Sequence, residues 1–222
     1  MTTPLRQARR LSLGREAADL IREAIFAGNF PPGSPLREVE LAAALDVSRG
    51  AVREGLALLD REGLVRSAWH RGAVVSQVTI EDVEEVYALR GALDRLAATT
   101  AQRVAHADQL GGLDALVCQM ADELDGATSG PRLLALDMAF HDRVYALASN
   151  SRLSEAWHGV RSQTYLFQPR RVSLGYEHYR ARVVDEHREL VTLLRSDDRE
   201  LLARRAEEHV NSARQSLLAH LT

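Results

Sequence analysis

The sequence predicts a mainly α-helical chain in two parts: a winged helix-turn-helix of three helices and a small β-hairpin, then an all-α antiparallel bundle. Three observations carry this. Residues 14–61 hold three short amphipathic patterns, two of them separated by a break of only two residues, Asp46-Val47. Residues 64–78 have β-rich ends around His70-Arg71-Gly72, which reads as a hairpin. From Thr79 onward only helical periodicity occurs.

The first helix follows from "GREAADLIREAIFAGNFPPGSPL", with Ala17, Leu20, Ile21, Ala24 and Ile25 on one face. Gly28 and Pro31-Pro32-Gly33 end it, because proline lacks the N–H that the helix ladder needs. The second runs from about Arg37 to Leu45, with Val39, Leu41, Ala42 and Leu45 apolar. The third runs from about Arg49 to Arg61, with Ser48 at its N-cap, Val52, Leu56 and Leu59 inward, and Gly63 closing it. Thr79 is an N-cap with acids crowding the first turn behind it, which suits the helix dipole. The remaining segments are expected at 80–106, 108–126, 131–149, 151–167, 177–195 and 198–220. Breaks are expected at or just before Gly111-Gly112, at Gly126–Pro131, at Asn150, at Pro169–Gly175 and at Ser196-Asp197. The domains are therefore a basic arm at 1–12, the winged unit at 13–78 and the helical unit at 79–222.

The 222 residues are 45% apolar and 27% charged, a globular balance with material for two cores. The net charge of −3 is unevenly spread: residues 1–75 carry 11 Arg against 9 acids, and the remainder 17 against 22. The small positive excess thus lies in the first third of the chain. Cys118 is the one cysteine, which excludes an internal disulfide and suits a reducing cytoplasm. No apolar run reaches the roughly 18 residues of a membrane span, so no membrane partner is expected.

In a winged helix-turn-helix the second helix of the pair enters the major groove with its leading residues at the base edges. Arg49 and Arg53 occupy those turns, where a guanidinium can fork onto guanine or grip phosphate. Gly50 and Ala51 are small and allow close approach, and the amides behind Ser48 form a phosphate site. Arg37 adds a cation at the start of the preceding helix. Arg71, beside Gly72 at the wing tip, can reach a minor groove. The plainer alternative is a helical hairpin with solvated arginines. Cations at both contact points of the helix–turn–helix–wing order favour double-stranded DNA.

The segment "IREAIFAGNFPPGSPLREVELAAALDVSRGAVREGLALLDREGLV" resembles the N-terminal domain of GntR-family bacterial transcription regulators, over about residues 13–78. Asp46 stands where that family usually has Gly, Gly50 where it has Thr or Pro, and Gly55 where it has Ala. Val39 occupies a position where some members carry a DNA-contacting Arg.

In the helical part, "ALDMAFHDRVYALASN" places Asp137 and His141 at i and i+4, on one helical face a turn apart. His187 and His209 lie in two further amphipathic helices. Imidazole with carboxylate suits a divalent ion such as Zn, Ni or Mn inside a bundle, although an Asp-x3-His pair also arises by chance and a lone histidine is more often structural. This region, residues 80–215, resembles the FCD ligand-binding domain of the FadR branch of the same family. The resemblance rests on "VYALRGALD", "DMAFHDRVYALASNSRL" and "DEHRELVTLLRSDDRELLARRAEEHV". It implies a divalent metal on Asp137, His141, His187 and His209, and a small organic acid effector held beside it with Arg90 and Asn150. Arg90 could instead pair with Asp94 at i+4, where the family often has Glu, and Asn150 could simply cap a helix. His70, His106, His158, His178 and His220 match no ligand position.

The resemblance implies a cytoplasmic, homodimeric, effector-responsive regulator, a repressor rather than an enzyme, acting on a pseudo-palindromic operator. Two other classes stay open from the residues alone. One is a metal-dependent helical enzyme fused to a DNA-binding module. No H-E-x-x-H, nucleophile elbow or phosphate loop supports it. The other is a dimeric DNA-binding protein without an effector.

Overall fold

The computed structural model describes residues 11–68, 72–125, 130–219 and 221. The chain divides into two compact units, Met1–Gln77 and Val78–Thr222.

In the first unit, α1 (Leu11–Phe26) packs on α3 (Arg49–Arg61). The core is Ala17, Ala18, Ile21 and Ile25 against Val52, Leu56 and Leu59. The contact is close because Gly55 has no side chain. A Cβ there would stand 2.9 Å from Ala18 N and 3.0 Å from Gly14 O. That approach turns the small Ala17–Ala18 edge of α1 inward and leaves Leu20, expected inside, 42% exposed. Val39, also expected on an apolar face, is 60% exposed.

Helix α2 (Glu38–Ala44) ends at Leu45, and Asp46 then takes φ +51, the left-handed conformation that the family's usual glycine adopts freely. Val47 N closes the turn on Ala42 O, and Ser48 caps α3 by accepting from Ala51 N at 3.2 Å. β2 (Val65–Ala68) and β3 (Gly72–Val75) form the expected hairpin. A third strand, β1 (Pro35–Leu36), pairs with β3 and gives the antiparallel order β1-β3-β2. Two residues are too few for alternation to reveal a strand in a sequence.

The second unit has α4 (Ile80–Val104), α5 (Ala107–Asp125), α6 (Gly130–Leu147), α7 (Ser151–Leu194) and α8 (Arg199–Leu218). Thr79 caps α4 as expected, and the structure adds a reciprocal capping box with Asp82. The chain breaks at Ala105–His106, so Gly111 and Gly112 lie inside α5. The break expected at Pro169–Gly175 is absent: α7 is helical from Ser151 to Leu194. An interior proline costs about 3 kcal/mol. Both flanks of α7 bury side chains, including Trp157, Phe167, Val183, His187 and Val191, and that burial outweighs the cost. Helix α4 packs on α6, α7 and α8, so side chains from four helices meet around its middle.

Candidate metal centre and nucleic-acid surface

That meeting point is polar. Asp137 and His141 project from α6, His187 from α7 and His209 from α8, all buried. One donor atom from each lies within 4.8 Å of every other. His141 Nε2 and His209 Nε2 are 3.4 Å apart, and His187 Nε2 is 3.1 Å from Asp137 Oδ1. Two donors about 2.1 Å from one ion stand about 3.0 Å apart at a right angle and about 3.4 Å apart at the tetrahedral angle. These two separations lie in that range.

The outer nitrogens fix the tautomers. His187 Nδ1 donates to Val183 O at 2.6 Å, and His209 Nδ1 donates to Glu186 at 2.8 Å. His141 Nδ1 stands 3.2 Å from Asp94 Oδ2. A carbonyl and a carboxylate only accept, so in His187 and His209 the hydrogen sits on Nδ1 and the Nε2 lone pair faces the cluster. His187 Nε2 is fully buried and lacks the alignment of a hydrogen bond with Asp137. Converging buried lone pairs repel one another unless a cation lies between them. The residues fit a divalent metal.

The electrostatics agree. Burial pushes His209 down to about 4, aided by His187 and His141, against the pull of Glu186. Burial and then Arg90 hold His141 below its ordinary value against Asp94. Both shifts favour the neutral imidazole that a metal requires at His141 and His209. Burial raises Asp94, but Arg90 and His141 overcome it and bring it to about 2. Tyr145 Oη also donates to Asp94, at 2.5 Å.

Arg90 is 1% exposed on α4, over the rings of Tyr87 and Trp157. Its Nε lies 3.5 Å from Asp94 Oδ2, so the i,i+4 pairing exists, but at a length beyond a hydrogen bond. Its Nη1 has no hydrogen-bond partner among the described residues. A buried guanidinium with an unmatched donor beside a cation site suits a ligand carboxylate. Asn150 is not part of this cluster. It is exposed and caps α7, accepting from Leu153 N at 3.2 Å, as its capping alternative had it. A narrow cleft reaches His141 and His209 between Phe140, Val144, Leu190 and Leu202.

On the first unit, Ser48, Arg49, Gly50 and Arg53 form an exposed patch at the leading end of α3. Ala51, assigned to this surface from its size, is 6% exposed and faces the α1 side, where Gly14 packs near its carbonyl. Its amide is also taken by Ser48, so Ala51 supports the patch from beneath. Arg37 is exposed at the start of α2 and pairs with Glu40. Gly72 is exposed at φ +77, while Arg71 lies outside the described residues.

Comparison with known proteins matches residues 13–75 to the bacterial regulatory proteins of the gntR family and residues 85–212 to the FCD domain. The chain belongs to the GntR family, with an FCD domain. A probable D-xylose utilization operon transcriptional repressor of Paenarthrobacter nicotinovorans is 30% identical, over 90% of this chain and 87% of that one. A gluconate operon transcriptional repressor of Bacillus licheniformis is 26% identical, over 87% and 80%. In fold, this GntR chain resembles E. coli McbR/YncC (TM-score 0.82, 17% identity, 95% and 99% covered). It likewise resembles a GntR transcriptional regulator from Rhodococcus sp. RHA1 (TM-score 0.77, 24% identity, 94% and 98% covered). This GntR protein is a DNA-binding transcription regulator, and the enzyme alternative falls with that membership.

Sequence reasoning missed three partners in this GntR chain: Glu186 and the Val183 carbonyl behind the histidines, and Glu38 beside Arg53. Glu186 directly precedes His187 yet serves His209 on another helix, which no local spacing reveals. Val183 lies one turn before His187, a relation that the 3.6-residue period does contain.

Proposed function

We propose that this GntR protein is a cytoplasmic, homodimeric repressor whose helical unit senses a small organic acid through a divalent metal. The observation that carries the reading is the buried quartet Asp137, His141, His187 and His209, with Arg90 and its unmatched Nη1 close by. A bound divalent ion would tie α6, α7 and α8 together and offer remaining coordination positions to a carboxylate. Arg90 would hold the other end of that charge. The repressor assignment draws on the xylose and gluconate repressors among the relatives.

The winged unit would read double-stranded operator DNA with Ser48, Arg49, Gly50 and Arg53, with Arg37, Arg71 and Gly72 on the flanks. A dimer would present two such units to a pseudo-palindrome. Support for pairing comes from α4, where Leu89 and Leu96 are 50% and 49% exposed two turns apart, with Ala92 between them. Such a stripe on a charged chain marks a contact surface. No described helix is long and apolar enough to cross a membrane.

The test is thermal melting of the metal-loaded protein against a panel of mono- and dicarboxylates, with Arg90→Gln alongside. A carboxylate that raises the melting temperature of the wild type and not of Arg90→Gln is expected. No shift by any carboxylate in Zn-, Ni- or Mn-loaded protein would contradict the effector site.

A further inference from the structure

The face of α3 that carries Arg49 and Arg53 is not purely basic. Glu38, in the first turn of α2, sits against it with a quarter of its side chain exposed. Arg53 donates to it through two nitrogens, Nε to Oε1 at 3.1 Å and Nη2 to Oε2 at 2.8 Å, the planar fork of a bidentate pair. Arg49 Nη2 is 3.8 Å from the same Oε2. The Arg53 fork, first among its influences, holds the Glu38 carboxyl below its ordinary range. Glu38 is itself anchored, because a carboxylate in the first turn of a helix is favoured by the helix dipole.

This arrangement has a cost for plain phosphate binding. A carboxylate on a surface that meets DNA repels the backbone, and Arg53 cannot give all its donors to phosphate while two serve Glu38. It also has a use. A guanidinium has five N–H donors, and with Nε and Nη2 on Glu38 the two of Nη1 are not engaged by that pair, on a side chain that is two-thirds exposed. Its plane is fixed before DNA arrives. A fixed plane suits the two coplanar acceptors on the major-groove edge of guanine, whereas a phosphate oxygen can be met from many directions and gains less from a plane set in advance. We propose that Glu38 is a specificity-determining residue: it positions Arg53, and secondarily Arg49, to read base edges, and it penalises binding to DNA without the matching sequence. This rests on the reading of α3 as the helix that meets DNA.

The experiment uses full-length protein and two duplexes, one selected by the wild type from a random pool and one of scrambled sequence. Fluorescence anisotropy gives the ratio of the two affinities. Arg53→Ala should lower that ratio. Glu38→Gln should lower it about tenfold, the scale of one bidentate base contact. Glu38→Asp, which keeps the charge but loses the reach, should also lower it, and circular dichroism checks that each variant is folded. In the Arg53→Ala background Glu38→Gln should change the ratio by less than about twofold, since its effect runs through Arg53. Two results would overturn the proposal. One is Glu38→Gln shifting both duplexes by one common factor, the signature of charge alone. The other is an undiminished effect of Glu38→Gln when Arg53 is absent. If Arg53→Ala itself leaves the ratio unchanged, the reading of α3 as the DNA-contacting helix fails, and this proposal fails with it.

Discussion

Two glycines on α3 should respond to alanine with opposite signs. At Gly55 an added Cβ would lie 2.9 Å from Ala18 N, 3.0 Å from Gly14 O and 3.3 Å from Ala17 C. All three atoms are backbone of α1, so no flexible side chain can give way. Relief requires α1 to move back by about half an ångström, which opens the contacts of Ile21 and Ile25 with the core. Alanine gains about 1 kcal/mol of helix propensity over glycine, whereas overpacking of a close contact costs about 1–3 kcal/mol. The expected net effect is destabilisation by up to about 2 kcal/mol. At Gly50 the only neighbour within 4 Å of a new Cβ among the described residues is Ser48 Oγ, at 3.7 Å. Gly50→Ala should therefore stabilise, by up to about 1 kcal/mol. Calorimetry of the full-length protein resolves this if the first unit melts as its own transition, where about 1 kcal/mol corresponds to about 4–8 °C. An unchanged or raised transition in Gly55→Ala would refute the close-packing argument.

Other consequences can be checked together. Arg49→Ala and Arg53→Ala should each weaken operator binding by about 1–3 kcal/mol without altering the fold, and normal binding by the double variant would take α3 out of the interface. Wild-type protein should sediment as the proposed dimer and Leu89→Arg with Leu96→Arg as a monomer, and a dimer persisting in the double variant would place the contact elsewhere. The third concerns acid. His209 has a folded value near 4, below its unfolded value of about 6.5, so the folded form binds fewer protons between these limits. Its stabilising share is complete above about pH 6.5 and is lost as pH falls towards 4, a difference of about 3 kcal/mol. With chelator present, the melting temperature of the wild type should fall more steeply over that window than that of His209→Gln, and parallel slopes would contradict it.

The local rules were legible in the sequence. Ser48 and Thr79 stand at their caps, and Asp46 adopts the left-handed turn that its place demanded. Asp137 and His141 share a face because i and i+4 always do, and the FCD resemblance supplied the other two histidines. What the sequence did not disclose depends on distance between elements. Ala51 points inward and Leu20 outward because Gly55 sets how α1 lies on α3, a property of two helices and not of one period. The continuity of α7 depends on burial along both flanks of Pro169, which no local proline rule contains. Asp94 was visible as a partner of Arg90, but its nearness to His141 and Tyr145 arises only when α4 meets α6.

The four buried donors Asp137, His141, His187 and His209 are expected to hold a metal. Elemental analysis of protein purified without chelator or nickel resin tests this most directly, with His187→Ala as the control. One equivalent of a divalent metal per chain is expected in the wild type, and well below one in the variant, whose winged unit should still bind DNA. Substoichiometric metal after reconstitution with Zn, Ni and Mn, and no rise in melting temperature with any of them, would contradict the account and leave Asp137, His141, His187 and His209 as structural polar groups.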